Sequence, residues 1–143
     1  MLSVTLEDLY PHPDWSFVFG IAHLESRTRV FSFVRNDPNF WGIEDPSRDL
    51  TLLYNACEVM VHEIGHMFSI KHCIYFNCTM NGSNSYNEST RSVAYLCPVC
   101  LRKLSKAIGF KVTDWLQNMA GVCKELHFSK QQAFYESLIA KNK

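Results

Sequence analysis

No stretch of this sequence is apolar for long enough to cross a bilayer, although 47% of its residues are hydrophobic. Neither sign of charge predominates: 14 basic residues balance 14 acidic ones, for a formal net charge of 0. No basic stripe is present of the kind that tracks nucleic-acid phosphates, and no acidic tail that would store cations. The opening residues, MLSVTLEDLY, lack a basic segment followed by a long apolar one, so they do not read as a secretory signal. Internal repeats and low-complexity linkers are missing too. These absences exclude a membrane protein and a nucleic-acid binder, and leave one domain of 143 residues. A domain of that size buries about two-thirds of its unfolded surface. Three glycosylation sequons, at Asn77, Asn81 and Asn87, read as coincidental, since no secretory route is expected.

What is present is concentrated in residues 62–73, HEIGHMFSIKHC. His62 and His66 lie four residues apart, so on a helix both imidazoles leave the same face one turn apart. His72 follows, and three imidazoles around a zinc ion leave the fourth tetrahedral position open to water. Glu63 sits beside the metal but off the ligand row, where a carboxylate can take a proton from that water. The bare HExxH pattern also occurs by chance on ordinary helices; the third His is what sets this one apart.

A second pattern begins where the first ends. Cys73, Cys78, Cys97 and Cys100 read C-x4-C and C-x2-C, two short-spaced thiolate pairs able to converge on one tetrahedral zinc. The alternatives are two disulfides, which need an oxidising compartment, or four unrelated buried thiols. Cys57, inside an apolar helical pattern, reads as a small buried hydrophobe, and Cys123 stands apart.

Strands are expected at residues 2–5, 17–22 and 30–34, where β-branched and aromatic residues cluster, with a polar ESRTR connection before the last. Asp45 and Pro46 suit the N-cap and first residue of a helix over about 47–68, whose apolar residues recur at helical spacing. Residues 69–96 read as irregular. Helices are expected again at about 98–108, ended by Gly109, then at 112–126, and at 129–141 with Ser129 as N-cap. Trp15, Trp41 and Trp115 are expected in the core or a cleft wall. His12 and His23 read as surface or satisfied loop residues. Tyr75 and Tyr86 read as packing residues rather than oxyanion donors.

The run HEIGHMFSIKHC-x4-CTM-x16-CPVC resembles the archaemetzincins, a branch of the metzincin zinc peptidases, and is similar to the animal members. The upstream segment LEDLYPHPDWSFVFG resembles them more loosely, and the likeness spans roughly residues 2–110. The resemblance implies an α+β, metzincin-like zincin catalytic domain: a partial mixed sheet, an active-site helix, C-terminal helices and a four-cysteine zinc site. It implies two zinc ions, a catalytic one on His62, His66 and His72 with Glu63 as general base, and a structural one on Cys73, Cys78, Cys97 and Cys100. Met80 would be the Met-turn residue beneath the catalytic zinc. The implied partner is a peptide or protein substrate, with small peptides and aminopeptidase-like action favoured, and the implied setting is intracellular, cytoplasmic and in part nuclear.

Two departures accompany the resemblance. Ser69 stands where the family pattern has Gly, and a left-handed Ser costs roughly 1 kcal/mol, too little to prevent His72 from reaching a metal. Family members also carry a strand, a helix and a strand before the segment with which this chain begins. Residues 1–143 are therefore expected to be a catalytic domain lacking that portion, with 17–22 as the antiparallel edge strand of the cleft. Alternate residues of 30–34 and one side of 1–5 would then be exposed apolar surface. The competing class is a catalytically inactive zinc-binding module that serves as an interaction or structural protein.

Overall fold

A computed structural model describes residues 2–14, 16–23, 28–83, 85–89 and 93–141. Trp15 and part of the polar stretch after Ser83 fall outside them. The chain is α+β. Strand β1 (Leu2–Thr5) pairs in parallel with β3 (Thr28–Ser32), and β2 (Gly20–His23) pairs antiparallel with β3, giving the order β1-β3-β2. Two 3-10 turns, Val34–Asn36 and Pro38–Trp41, lead to the long helix α1 (Arg48–Met67). A single turn of helix, α2 (Tyr86–Ser89), interrupts the stretch expected to be irregular. The chain closes with α3 (Pro98–Ile108), α4 (Val112–Glu125) and α5 (Ser129–Lys141).

The helices agree with the apolar spacing to within a residue or two, and the strands are displaced. The central strand begins at Thr28, two residues before the apolar run, so Thr28 and Arg29 belong to it rather than to the polar connection. The backbone ladder continues through them, with Arg29 opposite Leu2 on one side and Ala22 on the other. Residues 17–19 lie outside β2, where Val18 makes an isolated antiparallel bridge to Leu9. Asp45 is not the N-cap of α1. Its carboxylate accepts from Ser47 N at 2.7 Å and from Thr51 Oγ1 at 2.5 Å, and the helix starts two residues later than the Asp-Pro pair suggested. Ser129 is the first helical residue of α5 rather than its cap. Gly109 does end α3, at φ +90.

The expected exposed face of the central strand is not found, because Phe31 and Ser32 are buried and Val30 is half-buried. On β1 the expectation holds in part: Val4 is 53% exposed.

Two apolar clusters hold the remainder. One comprises Leu116, Cys123, Phe128 and Tyr135, with Tyr54 and Cys57 of α1 packed against it. Tyr54 Oη accepts from Ala94 N at 3.2 Å and from Gln131 Nε2 at 2.9 Å, which docks α5 on α1. The other gathers Ile70, Met80 and Leu104 around three of the four patterned cysteines, and the Trp115 ring touches both clusters. No described helix is long and apolar enough to cross a membrane.

Candidate metal centres

Helix α1 delivers His62 and His66 to one face, and its C-terminus returns the chain toward them. Ser69 N bonds His66 O at 3.0 Å and Ile70 N reaches back to Gly65 O at 3.1 Å. This is a Schellman-type stop, which needs a left-handed residue just past the helix. Ser69 takes that conformation, at φ 61. The turn brings His72 back, so that one ring nitrogen from each of His62, His66 and His72 lies within 4.8 Å of the others. Gly82 lies flat against the third ring, where a Cβ would sit 3.1 Å from His72 Nδ1.

The hydrogen bonds behind these rings decide their chemistry. Nδ1 of His62 lies 2.7 Å from Thr79 O, and Nδ1 of His66 lies 2.7 Å from Ile70 O. A carbonyl only accepts, so each Nδ1 carries the ring's proton and each Nε2 presents a lone pair. Those two Nε2 atoms are 3.0 Å apart. Neither can donate to the other while both rings are neutral; a cation between them satisfies both. Burial, with the neighbouring His66 adding to it, pushes the His62 pKa down despite the Thr79 carbonyl, which favours the neutral ligand form. The donor set therefore fits a divalent metal of the zinc type.

Glu63 stands beside this cluster, and Arg29 Nη1 donates to its Oε2 in a very short contact. The Arg29 side chain is only 5% exposed and that of Glu63 19%. Sequence reasoning missed this arginine because it lies 34 residues away and in what reads as a polar connection. The available signal was its alternation with Phe31, two positions along the same strand.

Glu63 borders a cleft of ≈ 960 Å³; Arg29 lies behind it and does not line it. Val18, Phe19 and Gly20 line it on the sheet side, His62, Glu63 and His72 line it beside the metal cluster, and Ile74 and Asn81 lie beyond them. Asn36 also lines it, and its buried Oδ1 has no partner among the described residues.

The four cysteines converge as well, with Sγ atoms all within 4.8 Å of one another and every thiol free. Cys73 Sγ and Cys97 Sγ are 3.9 Å apart, which excludes the disulfide alternative for this conformation. Backbone amides point at the sulfurs: Cys97 N to Cys78 Sγ at 3.2 Å, Met80 N to the same atom at 3.4 Å, and Cys100 N to Cys97 Sγ at 3.4 Å. Burial pushes the Cys78 and Cys100 thiols up. At Cys73 burial works in the same direction, but the amides of Tyr75 and Phe76 together with the Cys97 and Cys100 thiols outweigh it and bring the thiol below its ordinary range. Four clustered sulfurs of this kind ionise together only around a cation, so this set too fits zinc.

One turn serves both clusters. Cys73 N bonds Met80 O at 2.8 Å, and the Asn81 side chain holds Cys73 O at 2.5 Å and Cys78 N at 2.9 Å. Met80 is fully buried against α1, where a Cβ on Gly65 would lie 2.4 Å from its Sδ.

The other candidate residues stand apart from these clusters. His12 is exposed beside Asp14, and the His23 side chain is outside the described set. Tyr86 stacks on Trp41 at 5.5 Å, a packing role, and Trp41 in turn meets the cleft-lining Phe17. Tyr75 does not pack at all; it is 83% exposed on the tip between Cys73 and Cys78.

Comparison with known proteins gives one consistent answer. The sequence pattern of Peptidase family M54 matches residues 1–106. The chain is 36% identical over 137 residues to archaemetzincin-2 of Rattus norvegicus, an alignment covering 80% of this chain and 38% of that protein. It superposes on a zinc-dependent peptidase from Methanocorpusculum labreanum with a TM-score of 0.63 at 33% identity, covering 72% of this chain and 52% of the other. For an archaemetzincin from Methanopyrus kandleri the values are 0.60 and 34%, covering 76% and 56%. The chain thus spans between about two-fifths and just over half of the length of these relatives.

Proposed function

Because the chain belongs to peptidase family M54, the archaemetzincins, we propose that its cleft hydrolyses peptide bonds with zinc held by His62, His66 and His72. The observation that carries this reading is the pair of Nε2 lone pairs, fixed by two carbonyls, in a histidine cluster that borders the cleft through His62 and His72 with the Glu63 carboxylate beside them. A zinc ion there supplies Lewis acidity, polarising the scissile carbonyl and lowering the pKa of bound water toward about 7. Glu63 takes the proton of the attacking water and returns it to the leaving amine. Met80, buried under Gly65 between the two helical ligands, fits the Met-turn role and keeps the floor of the site apolar.

A peptide substrate would lie along the sheet edge. β2 is an edge strand, and residues 18–20 line the cleft, so an extended peptide can add as a further strand. Val18 N is already bonded to Leu9 O, so the available edge begins at Gly20. Small peptides with aminopeptidase-like action are the substrates the family resemblance favours. The four cysteines hold a second, structural zinc that fixes the turn carrying His72 and Met80.

The test is digestion of a peptide library with free and acetylated amino termini, by the parent chain and by Glu63→Gln. Cleavage confined to the parent and to free termini is the expected result. Equal turnover by both proteins would remove Glu63 from the mechanism. No turnover by a protein loaded with two zinc ions would leave the non-enzymatic module as the better reading.

A further inference from the structure

We propose that Arg29 is a positioning residue for the general base, anchoring one carboxylate oxygen of Glu63 so that the other stays available at the histidine cluster. The inference rests on the peptidase reading of the cleft. Its starting point is a buried guanidinium that this reading does not use. Arg29 projects from the central strand and donates through Nη1 to Glu63 Oε2. No described group bonds Glu63 Oε1.

A guanidinium with a side chain only 5% exposed is poorly explained by packing. Replacing a buried ion pair by apolar residues of similar volume is often neutral or stabilising, so such a pair is weak support for a purely structural role. The platform beneath Arg29 is rigid by contrast. Its backbone pairs with Leu2 on one side and Ala22 on the other. Two residues along, Phe31 is fully buried against Gly20, where even a Cβ would come within 2.8 Å of the ring. A paired, well-packed strand is therefore tied to the Glu63 carboxylate beside the histidine cluster.

A glutamate on a helix face has several rotamers, and only some bring an oxygen to the attacking water. A fork-shaped cation holding one oxygen fixes the plane of the carboxylate and leaves the other oxygen with its lone pairs. Misplacement of a reacting group by about 1 Å costs up to ~10²-fold in rate, which sets the size of the effect Arg29 can have.

Arg29→Met keeps the length and apolar volume of the side chain while removing the contact. In zinc-loaded, folded protein it should lower kcat by about 10²-fold with KM little changed, since substrate does not touch the guanidinium. Arg29→Lys, which retains charge and one donor, should recover part of the loss. In the Glu63→Gln background Arg29→Met should cost no further activity, because nothing remains to be positioned. Thermal unfolding of the parent, both single variants and the double variant should show coupling between the two positions, a readout independent of turnover.

Parental kcat in folded, zinc-loaded Arg29→Met would overturn the inference, as would a change confined to KM or an absence of coupling. Should Arg29→Met fail to fold, Arg29→Gln, too short to make the contact, decides in the same way: parental kcat overturns the inference and a comparable loss supports it. Equal turnover in the parent and Glu63→Gln would instead remove the peptidase reading itself, a result distinguishable from failure of the Arg29 inference alone.

Discussion

The two donor clusters share one turn yet sit in opposite surroundings. Cys78, Cys97 and Cys100 are buried among Ile70, Met80 and Leu104, and the sulfurs collect backbone amides. His72 is exposed, and its cluster opens on a cleft of ≈ 960 Å³. The closed cluster is built into the apolar core of Ile70, Met80 and Leu104, whereas the open one faces the cleft through His62 and His72. On the proposed reading that is the division between structural and catalytic zinc sites, here built from neighbouring residues of one loop. The loop needs the first in order to hold the second: Thr79, between Cys78 and Met80, supplies the carbonyl that fixes the tautomer of His62.

The comparison predicts that the closed site fails globally and the open site locally. Cys97→Ser should give the largest effect. It removes a thiolate whose sulfur approaches Cys73 and accepts the Cys100 amide. Structural zinc sites contribute ~10–16 kcal/mol of apparent binding free energy, all of it coupled to folding, so losing a ligand should melt the region around residues 72–104. Hydrogen exchange should show protection lost there, and metal analysis should show the histidine site weakened as well. Normal thermal stability with full zinc content would mean that the two clusters are not coupled.

Glu63→Gln should act only on chemistry. Loss of a general base costs ~10²–10⁴-fold in rate, and zinc content should not change because Glu63 is not a ligand. The companion variant Glu63→Ala separates two roles. Gln keeps an oxygen for Arg29, whereas Ala strands a guanidinium with a 5% exposed side chain, and breaking a buried pair in this way costs ~3–5 kcal/mol. Equal melting temperatures for the two variants would show that an oxygen at position 63 held by Arg29 carries no stability.

Metal removal tests the same division kinetically. A chelator should take the histidine-held ion first, abolishing turnover while the fold persists, and reach the thiolate-held ion only as the turn opens. Release of both ions in one step, together with unfolding, would contradict the open–closed distinction.

How much of this was legible in the sequence depends on the range of the interaction. The donors are carried by short spacings, so both clusters appear where the pattern puts them: His62 to His66 is one helical turn, and Cys97 to Cys100 is the first turn of α3. Helices with regular apolar recurrence were placed to within a residue or two, because their period is a local property. The start of the central strand was missed, since Thr28 and Arg29 look like loop residues until β1 and β2 flank them. Arg29 was missed for the same reason. Its partner lies on another element, and nothing local to residue 29 announces it. Asp45 misled in the reverse sense, as a good cap residue whose carboxylate is taken by Ser47 N ahead of the helix and by the Thr51 hydroxyl in its first turn.

A smaller effect is expected at Gly65. A Cβ there would lie 2.4 Å from Met80 Sδ and 2.9 Å from its Cε. Gly65→Ala gains helix propensity but forces a fully buried side chain to move, and overpacking of this kind costs ~1–3 kcal/mol. Met80 sits on the shared turn, so the variant should loosen zinc at the histidine site more than at the cysteine site. Competition with a chelator on the two ions would measure this. Equal weakening at both would show that Met80 supports the turn as a whole and not the histidines in particular.

The smallest effect is expected at Ser69, and its sign comes from two opposing terms. With φ at 61, Ser69 holds a left-handed conformation that costs a residue with a Cβ roughly 1–2 kcal/mol. Ser69→Gly relieves that strain but gives the unfolded chain more freedom, which costs about 0.4–1 kcal/mol in return. The strain term is the larger, so the variant should be more stable by a few tenths to about 1 kcal/mol, read as a small rise in melting temperature. The metal-free chain sharpens the comparison. The bonds from Ser69 N to His66 O and from Ile70 N to Gly65 O tie this turn to the helix itself. If those bonds hold the left-handed residue, the gain from glycine should be the same with and without zinc, and histidine-site affinity should not change. A gain confined to the zinc-loaded protein would show instead that the metal, by drawing His72 inward, is what forces Ser69 into its strained conformation.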